Sequence, residues 1–308
     1  MPAEAGAGKL NDVKTRMTAL AAAALILAAA APASADPVDP PGMLSFGGLQ
    51  RTYLVHAGAA QPSGLVINLH GAGMTGGQQA DVTGYNAVAD QYGFVVAYPD
   101  GIDMAWADGR GASMPDRQGV DDVGFLAALI QRLSGEYRIP PGHVFVTGMS
   151  AGAFMANRLV CERADLVTAI APVSGTLGAG VACAPSRPVS VMAVHGTADP
   201  VVPYNGGPMV GRGGASDIVS APALAERWRE INRCPGPLQN DPASAGEVSE
   251  LAATGCADNT EVVLVRINGG GHTWPAGRFS LPAGVVGPTS FAVDASGASA
   301  QFFAAQMR

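Results

Sequence analysis

Short apolar runs alternate with helical stretches from residue 50 to residue 270, and this alternation constrains the fold more than any other feature of the sequence. Near-continuous hydrophobicity is typical of parallel strands that are covered on both faces. Six runs have this character: 65–69, 94–97, 144–147, 169–173, 189–194 and 262–267. Between them, apolar residues recur at helical spacing over 126–133, after Asp121 and Asp122, which suit the positive end of a helix. The pattern predicts a doubly wound, mostly parallel sheet flanked by helices.

The first 35 residues have the features of an export signal. Three basic residues precede an uncharged run over 19–31, and Ala33-Ser34-Ala35 supplies small residues for cleavage. The alternative, a membrane anchor, is disfavoured because the run is short and rich in weakly hydrophobic alanine. We expect secretion with cleavage after Ala35, no stable membrane anchor, and a single α/β domain over residues 36–308.

Composition bounds the function as well as the fold. Hydrophobic residues make up 48% of the chain and charged residues only 14%, which favours one large core over disorder. The net charge of −7 argues against nucleic acid, whose phosphates require clustered Lys and Arg. The sequence gives no indication of the oligomeric state.

Four cysteines in an exported chain suggest two disulfides, for which three pairings exist. Cys161 and Cys183 stand 22 positions apart, and so do Cys234 and Cys256. Pairing each cysteine with its near neighbour is the simplest arrangement. Free buried thiols are the alternative.

The segment Gly148-Met149-Ser150-Ala151-Gly152 fits G-x-S-x-G, a sharp turn that exposes a serine between a strand and a helix. The strand candidate 144–147 precedes it, and the alanine-rich stretch 151–160 that follows favours a helix. A chance match is not rare in a chain with 41 glycines, so the flanking context carries the argument. We therefore interpret Ser150 as a nucleophile.

A serine hydroxyl needs a base to remove its proton. Where this turn is used, the partners follow in the order serine, acid, histidine. Asp199 lies just beyond the strand candidate 189–194, and His272 is the one histidine downstream of that acid. We expect Ser150, Asp199 and His272 to act as nucleophile, acid and base on loops at one edge of the sheet.

Other roles remain open for three residues near this set. Asp199 could cap a turn before Pro200, and Asp217 is a weaker substitute acid. His195 is better interpreted as structural support for the Asp199 loop than as a catalytic base.

Acyl transfer also requires donors for a developing oxyanion. The backbone N–H of Ala151 follows the serine, and the loop His70-Gly71-Ala72-Gly73 follows the strand candidate 65–69. We expect the Ala151 and Ala72 amides to form an oxyanion hole.

A second class of function competes for the same loop. Residues 71–76 form a G-x-G-x-x-G after a strand, and Asp100 closes the next strand, as in a nicotinamide-binding oxidoreductase. The export signal and the late start of the following helix, interrupted at Thr83-Gly84, argue against it. The histidines show no metal-binding motif, so we expect neither cofactor nor metal.

Several motifs together resemble the extracellular polyhydroxybutyrate depolymerases and the feruloyl or acetylxylan esterases. The matching segments are 69–71, 97–101, 120–125, 148–152, 195–199, 202–204 and 271–275. The resemblance implies an α/β-hydrolase fold, the roles given above for Ser150, Asp199 and His272, and paired cysteines. Polymer-degrading relatives often carry other residues at the positions of Ala72 and Ala153, and we expect this chain to have no appended substrate-binding domain.

The resulting expectation is a secreted, cofactor-free serine esterase acting on polyhydroxybutyrate-type oligoesters or on feruloyl and acetyl esters of plant polysaccharide. A serine peptidase on the same fold is the alternative. Trp274 and Trp106 could form an aromatic wall for the substrate, although core packing is an equal alternative. Tyr204 and Met149 are weaker candidates for the same role.

Overall fold

Ten strands form one mixed sheet in the computed structural model, which describes residues 41–241 and 246–307. The export signal predicted over residues 1–35 lies outside the described residues. The ten strands are β1 Gly42–Phe46, β2 Leu49–Ala57, β3 Gly64–Leu69, β4 Phe94–Pro99, β5 Val144–Met149, β6 Ala169–Val173, β7 Ser190–Gly196, β10 Gln239–Asn240, β11 Val248–Ala253 and β12 Val262–Ile267. Two further strands, β8 Gly207–Gly211 and β9 Gly214–Ile218, form a separate antiparallel hairpin. The helices are α1 Gly76–Thr83, α2 Tyr85–Tyr92, α3 Met114–Gln118, α4 Asp122–Glu136, α5 Ala151–Arg163, α6 Ala221–Ile231, α7 Ala283–Val286 and α8 Ala295–Ala305.

The six predicted strands form the parallel centre of the sheet, in the order β4-β3-β5-β6-β7-β12. The predicted doubly wound α/β class is therefore confirmed. The chain passes from β3 to β4 on one side and later to β5 on the other side of β3. Such a reversal opens a crevice at the carboxyl ends of the two strands, where α/β proteins bind ligands.

The sequence analysis missed the antiparallel strands at the two edges of the sheet. β1 and β2 form a hairpin at one edge, and β11 and β10 complete the other edge. Only one face of β1 and β2 is shielded, so neither reads as a continuous apolar run. The turn Gly47-Gly48, with both residues at positive φ, is the hairpin signal that could have identified them.

Helices cover both faces of the sheet, as the apolar character of its central strands requires. Buried side chains of α4, α5 and α6 pack on one face. On the other face, Tyr85 of α2 and Phe303 of α8 belong to a second buried cluster, and Ala80 and Val82 of α1 pack against it. The loops after β3, β5, β7 and β12 lie at the carboxyl edge of the sheet.

The start of α4 holds a buried ion pair that the acidic pattern did not reveal. Asp121 is the N-cap and accepts a hydrogen bond from Gly124 N at 2.7 Å. Asp122 is fully buried and contacts Arg51 Nη2 of β2 at 2.6 Å. Burial raises the pKa of Asp122, and the opposing guanidinium charge offsets part of that effect. Asp122 thus anchors the edge hairpin to the helical layer.

Two disulfides join Cys161 to Cys183 and Cys234 to Cys256, which is the pairing that the spacing favours. The first ties the end of α5 to the loop after β6. The second ties the segment after α6 to the turn before β12.

Replacing both cysteines of either pair with serine is expected to lower the free energy of unfolding by about 3 kcal/mol. The cross-link closes a loop between residues 22 positions apart and so restricts the unfolded chain. Urea unfolding followed by circular dichroism measures the difference from the oxidised parent. A change under about 1 kcal/mol in both double variants would contradict the expectation.

Candidate active site

Ser150 lies in a sharp turn between β5 and α5, with φ 54° and ψ −118°. This conformation is costly for a residue with a side chain, and such costs are concentrated at functional sites. Glycines on both sides allow the turn to pack on β3. A Cβ on Gly148 would lie 2.7 Å from the Leu69 carbonyl oxygen, and one on Gly152 would overlap it. The flanking glycines are therefore required by close packing.

Asp199 and His272 meet although they are 73 positions apart in sequence. His272 Nδ1 lies 2.8 Å from Asp199 Oδ2. The other carboxylate oxygen, Oδ1, accepts hydrogen bonds from Val201 N at 2.8 Å and Val202 N at 2.7 Å. An ionised carboxylate only accepts hydrogen bonds, so Nδ1 of the ring carries the proton and Nε2 is the basic nitrogen.

His195 supports this pair from the side. Its Nε2 donates to the Val202 carbonyl at 2.9 Å and lies 3.6 Å from Asp199 Oδ2, too far for a hydrogen bond. Burial lowers the pKa of His195, which keeps the ring neutral. Its contacts agree with the structural interpretation. Asp217 lies on the hairpin strand β9, and among the described residues the carboxylate paired with His272 is that of Asp199.

Ser150 and His272 line one pocket of about 520 Å³ at the carboxyl edge of the sheet. Ala72, Met149 and Trp274 line the same pocket. The remaining lining comes from two loops, α1 and α7: Gly71, Gly73, Met74, Gln78, Asp81, Val82, Thr273, Phe279, Ser280, Leu281 and Val286. The walls are mostly apolar, as in pockets that bind organic ligands.

Two backbone amides near Ser150 are available as donors. Ala151 N opens α5, where the first N–H groups have no helical acceptor. Ala72 N lies in the loop after β3, and Gly71 of that loop sits close to the serine: a Cβ built on it would lie 3.6 Å from Ser150 Cβ. Across residues 41–241 and 246–307, neither amide has a hydrogen-bond partner. Both can therefore donate to an incoming oxygen.

The two tryptophans predicted as a substrate wall occupy different environments. Trp274 lines the pocket, and its Nε1 donates to Ser296 Oγ at 3.0 Å. Trp106 is fully buried in the core, and its Nε1 donates to the His70 carbonyl at 2.9 Å. The substrate-wall interpretation of Trp106 is wrong because the ring lies beneath the loop after β3, not in the pocket.

Tyr204 is likewise outside the pocket lining. Its ring packs edge-on against His195 at 5.8 Å between centroids, and it is half-buried against the core. The expectation that it contacts substrate is therefore corrected: Tyr204 packs behind the Asp199 loop.

The sequence analysis missed the apolar side chains on the outer wall of the pocket. Phe279 and Leu281 are 65% and 64% exposed and follow His272 in the chain. They belong to the glycine- and proline-rich stretch 269–287 that follows β12. Recognising them required only the rule that large apolar residues in such a loop are unusual.

The competing dinucleotide interpretation fails on the contacts of Asp100. One carboxylate oxygen accepts from Gly76 N at 2.7 Å and the other from Thr52 Oγ at 2.7 Å. The carboxylate therefore holds the start of α1 and is not free to bind a ribose. Within the described parts of the chain, no three His, Cys, Asp or Glu residues cluster as metal ligands, and no helix is long and apolar enough to cross a membrane.

Comparison with known proteins identifies the fold and the family. The solved acetyl xylan esterase from Aspergillus awamori shares the fold, with a TM-score of 0.52 at 16% identity over 72% of this chain and 89% of that one. NocK of Nocardia uniformis subsp. tsuyamanensis, described as an esterase, is 30% identical over 79% of this chain and 76% of its own. Feruloyl esterase B of Piromyces equi is 33% identical over 62% of this chain, and the matched region covers 37% of that protein.

The α/β-hydrolase fold and these relatives define a carboxylic ester hydrolase. The model of the esterase PHB depolymerase family matches residues 49–226, and the chain belongs to that family. The resemblance identified from the sequence motifs is thereby confirmed.

Proposed function

We propose that this protein is a secreted, cofactor-free serine esterase with Ser150, His272 and Asp199 as its catalytic triad. The observation that carries the proposal is the 2.8 Å contact between Asp199 Oδ2 and His272 Nδ1 on the wall of the pocket that holds Ser150. The carboxylate keeps the proton on Nδ1 and so leaves Nε2 to act as the base.

The reaction proceeds through an acyl-enzyme. Ser150 Oγ attacks the ester carbonyl while His272 Nε2 takes its proton, and the carbonyl oxygen becomes an oxyanion held by the Ala72 and Ala151 amides. The tetrahedral species collapses, the C–O bond to the alcohol breaks, and His272 returns the proton to the leaving alcohol. Water, activated by the same ring, then hydrolyses the acyl-Ser150 ester and releases the acid.

The pocket chemistry favours esters with an apolar acyl or alcohol group. Its inner wall presents Met149 and Trp274, and its outer wall presents Phe279 and Leu281. Such walls suit oligoesters of the polyhydroxybutyrate type and aromatic or acetyl esters of plant polysaccharide. Feruloyl esterases and an acetylxylan esterase/xylanase are among the similar proteins.

Secretion and domain organisation complete the proposal. Two disulfides suit an oxidising compartment outside the cytoplasm. Residues 36–308 would then form the single catalytic domain that remains after the signal over residues 1–35 is removed.

A covalent probe tests the proposal directly. Treatment with a fluorophosphonate is expected to add one adduct, located on Ser150 by peptide mass analysis, and to abolish p-nitrophenyl ester hydrolysis. A matched peptide p-nitroanilide should be cleaved far more slowly than the ester. Labelling at another residue would overturn the triad, and faster cleavage of the anilide would favour the peptidase alternative.

Removing the exposed apolar wall should weaken substrate binding without disabling the triad. Phe279→Ser with Leu281→Ser is expected to raise KM for p-nitrophenyl octanoate by roughly tenfold, because burying the substrate chain against the two side chains contributes about 1.4 kcal/mol in total. For p-nitrophenyl acetate, whose acyl group has little apolar surface to lose contact, KM should change little. Equal effects on the two esters would contradict an apolar subsite at this wall.

A further inference from the structure

His70 joins two loops beneath the pocket through both of its ring nitrogens. Gly101 N donates to Nε2 at 2.9 Å, so Nε2 is the unprotonated acceptor. Nδ1 therefore carries the proton and donates to the Gly71 carbonyl at 2.8 Å. The residue is completely buried, and burial lowers its pKa, which favours this neutral form. The two contacts fix the tautomer and the orientation of the ring.

The Gly71 carbonyl belongs to the same peptide unit as the Ala72 N–H. A trans peptide is planar, and its C=O and N–H point in opposite directions. A hydrogen bond that holds the carbonyl toward His70 therefore holds the N–H away from His70, on the side of the pocket that Ala72 lines. Met74 N also donates to the Gly71 carbonyl at 3.1 Å and closes the turn.

The preceding peptide unit is held in the same manner. Trp106 Nε1 donates to the His70 carbonyl at 2.9 Å, and the Trp106 and His70 rings lie 4.8 Å apart. Gly73 N donates to the Met104 carbonyl at 2.8 Å. The loop after β3 is thus tied on its buried side, while the Ala72 amide remains unpaired within the part of the chain that the structure describes.

We propose that His70 is a positioning residue that aims the Ala72 N–H at the oxyanion by hydrogen bonding the carbonyl of the same peptide unit. Trp106 supports this arrangement by fixing the neighbouring unit. The inference rests on the proposed acyl-enzyme chemistry at Ser150. Without the Nδ1 bond, the longer bond from Met74 N alone would hold the Gly71 carbonyl, and the second oxyanion donor would be less precisely aligned.

Two substitutions separate the hydrogen bond from His70 Nδ1 to the Gly71 carbonyl from the hydrogen bond that Nε2 accepts from Gly101 N. The side-chain amide of His70→Asn matches Nδ1, so it keeps the donor to the Gly71 carbonyl and loses the acceptor for Gly101 N. The amide of His70→Gln matches Nε2, so it keeps that acceptor and loses the donor. Each variant removes one hydrogen bond from the same buried site, and comparable losses of Tm are expected.

The readout compares an ester with its thionoester, in which sulfur replaces the carbonyl oxygen. Sulfur is a weak hydrogen-bond acceptor, so an aligned oxyanion hole makes the enzyme prefer the oxygen ester. We expect His70→Gln to lower kcat for p-nitrophenyl butyrate by roughly 10- to 100-fold and to reduce its preference over the thiono analogue by a similar factor. For His70→Asn, kcat and preference should stay within about fivefold of the parent.

Each outcome decides the question. If both variants lose kcat in proportion to Tm and keep the oxygen-over-sulfur preference, His70 is structural only and the inference is overturned. If His70→Gln keeps kcat and preference, the inference is likewise wrong. If the parent enzyme hydrolyses neither ester, or does so without Ser150, the proposed function fails instead of the role of His70.

Discussion

Ser150→Ala is expected to lower kcat for p-nitrophenyl butyrate by on the order of 10⁶-fold, the loss seen when a triad nucleophile is removed. Alanine deletes the oxygen that forms the acyl-enzyme in the proposed mechanism, while the turn and the two proposed oxyanion amides remain. Folding should be preserved because Ser150 Oγ makes no hydrogen bond within residues 41–241 and 246–307. Thermal unfolding and burst kinetics of the purified variant measure the two quantities separately.

Ser134→Ala provides the matched control. Ser134 lies on α4, and its buried hydroxyl has no hydrogen-bond partner among the described residues, so its removal should change neither kcat nor Tm appreciably. Residual activity of Ser150→Ala above about one-thousandth of the parent would mean that another group performs the attack.

Asp199→Asn is expected to lower kcat by about 10⁴-fold because it reverses the tautomer of His272. Val201 N and Val202 N both donate to Oδ1, so the amide oxygen of asparagine must occupy that position. Its NH₂ group then faces His272 Nδ1, where the carboxylate oxygen Oδ2 now lies at 2.8 Å. A donor there forces Nδ1 to be the acceptor and moves the proton to Nε2, which can no longer accept the serine proton.

Asp217→Asn is the comparison that separates the two acids considered for the triad. Asp217 lies in the β8–β9 hairpin, and its substitution is expected to leave kcat within about twofold of the parent. The pH dependence of kcat in Asp199→Asn should show partial recovery at high pH, where hydroxide can assist. A large loss in Asp217→Asn with a small one in Asp199→Asn would reassign the acid.

The parallel centre of the sheet and the candidate triad could be predicted because both depend on chain order. Strands buried on both faces are apolar throughout, and the loops after β5, β7 and β12 must meet at one edge of a parallel sheet. The approach of Asp199 to His272 followed from that topology without knowledge of any contact. The edge strands were missed because a strand with one open face carries a weaker pattern.

Side-chain environments were predicted less well because they depend on packing across the fold. Nothing in the local sequence distinguishes Trp274, which lines the pocket, from Trp106, which supports the loop beneath it. Asp122 matched the acidic start of a helix, yet its partner Arg51 lies on a distant strand. The role of His70 likewise depends on Gly101, which approaches it only in the folded chain.

The backbone conformation of Ser150 lowers the thermal stability of the fold while placing the serine for the proposed catalysis. Glycine adopts φ 54° with ψ −118° more readily than serine, and relief of such a conformation is worth of order 1–3 kcal/mol. A screen of variants for heat resistance alone would therefore select against the proposed nucleophile at this position. Variants of this esterase selected for thermal stability should therefore also be assayed for ester hydrolysis, and stabilising substitutions should be placed outside the turn at Ser150.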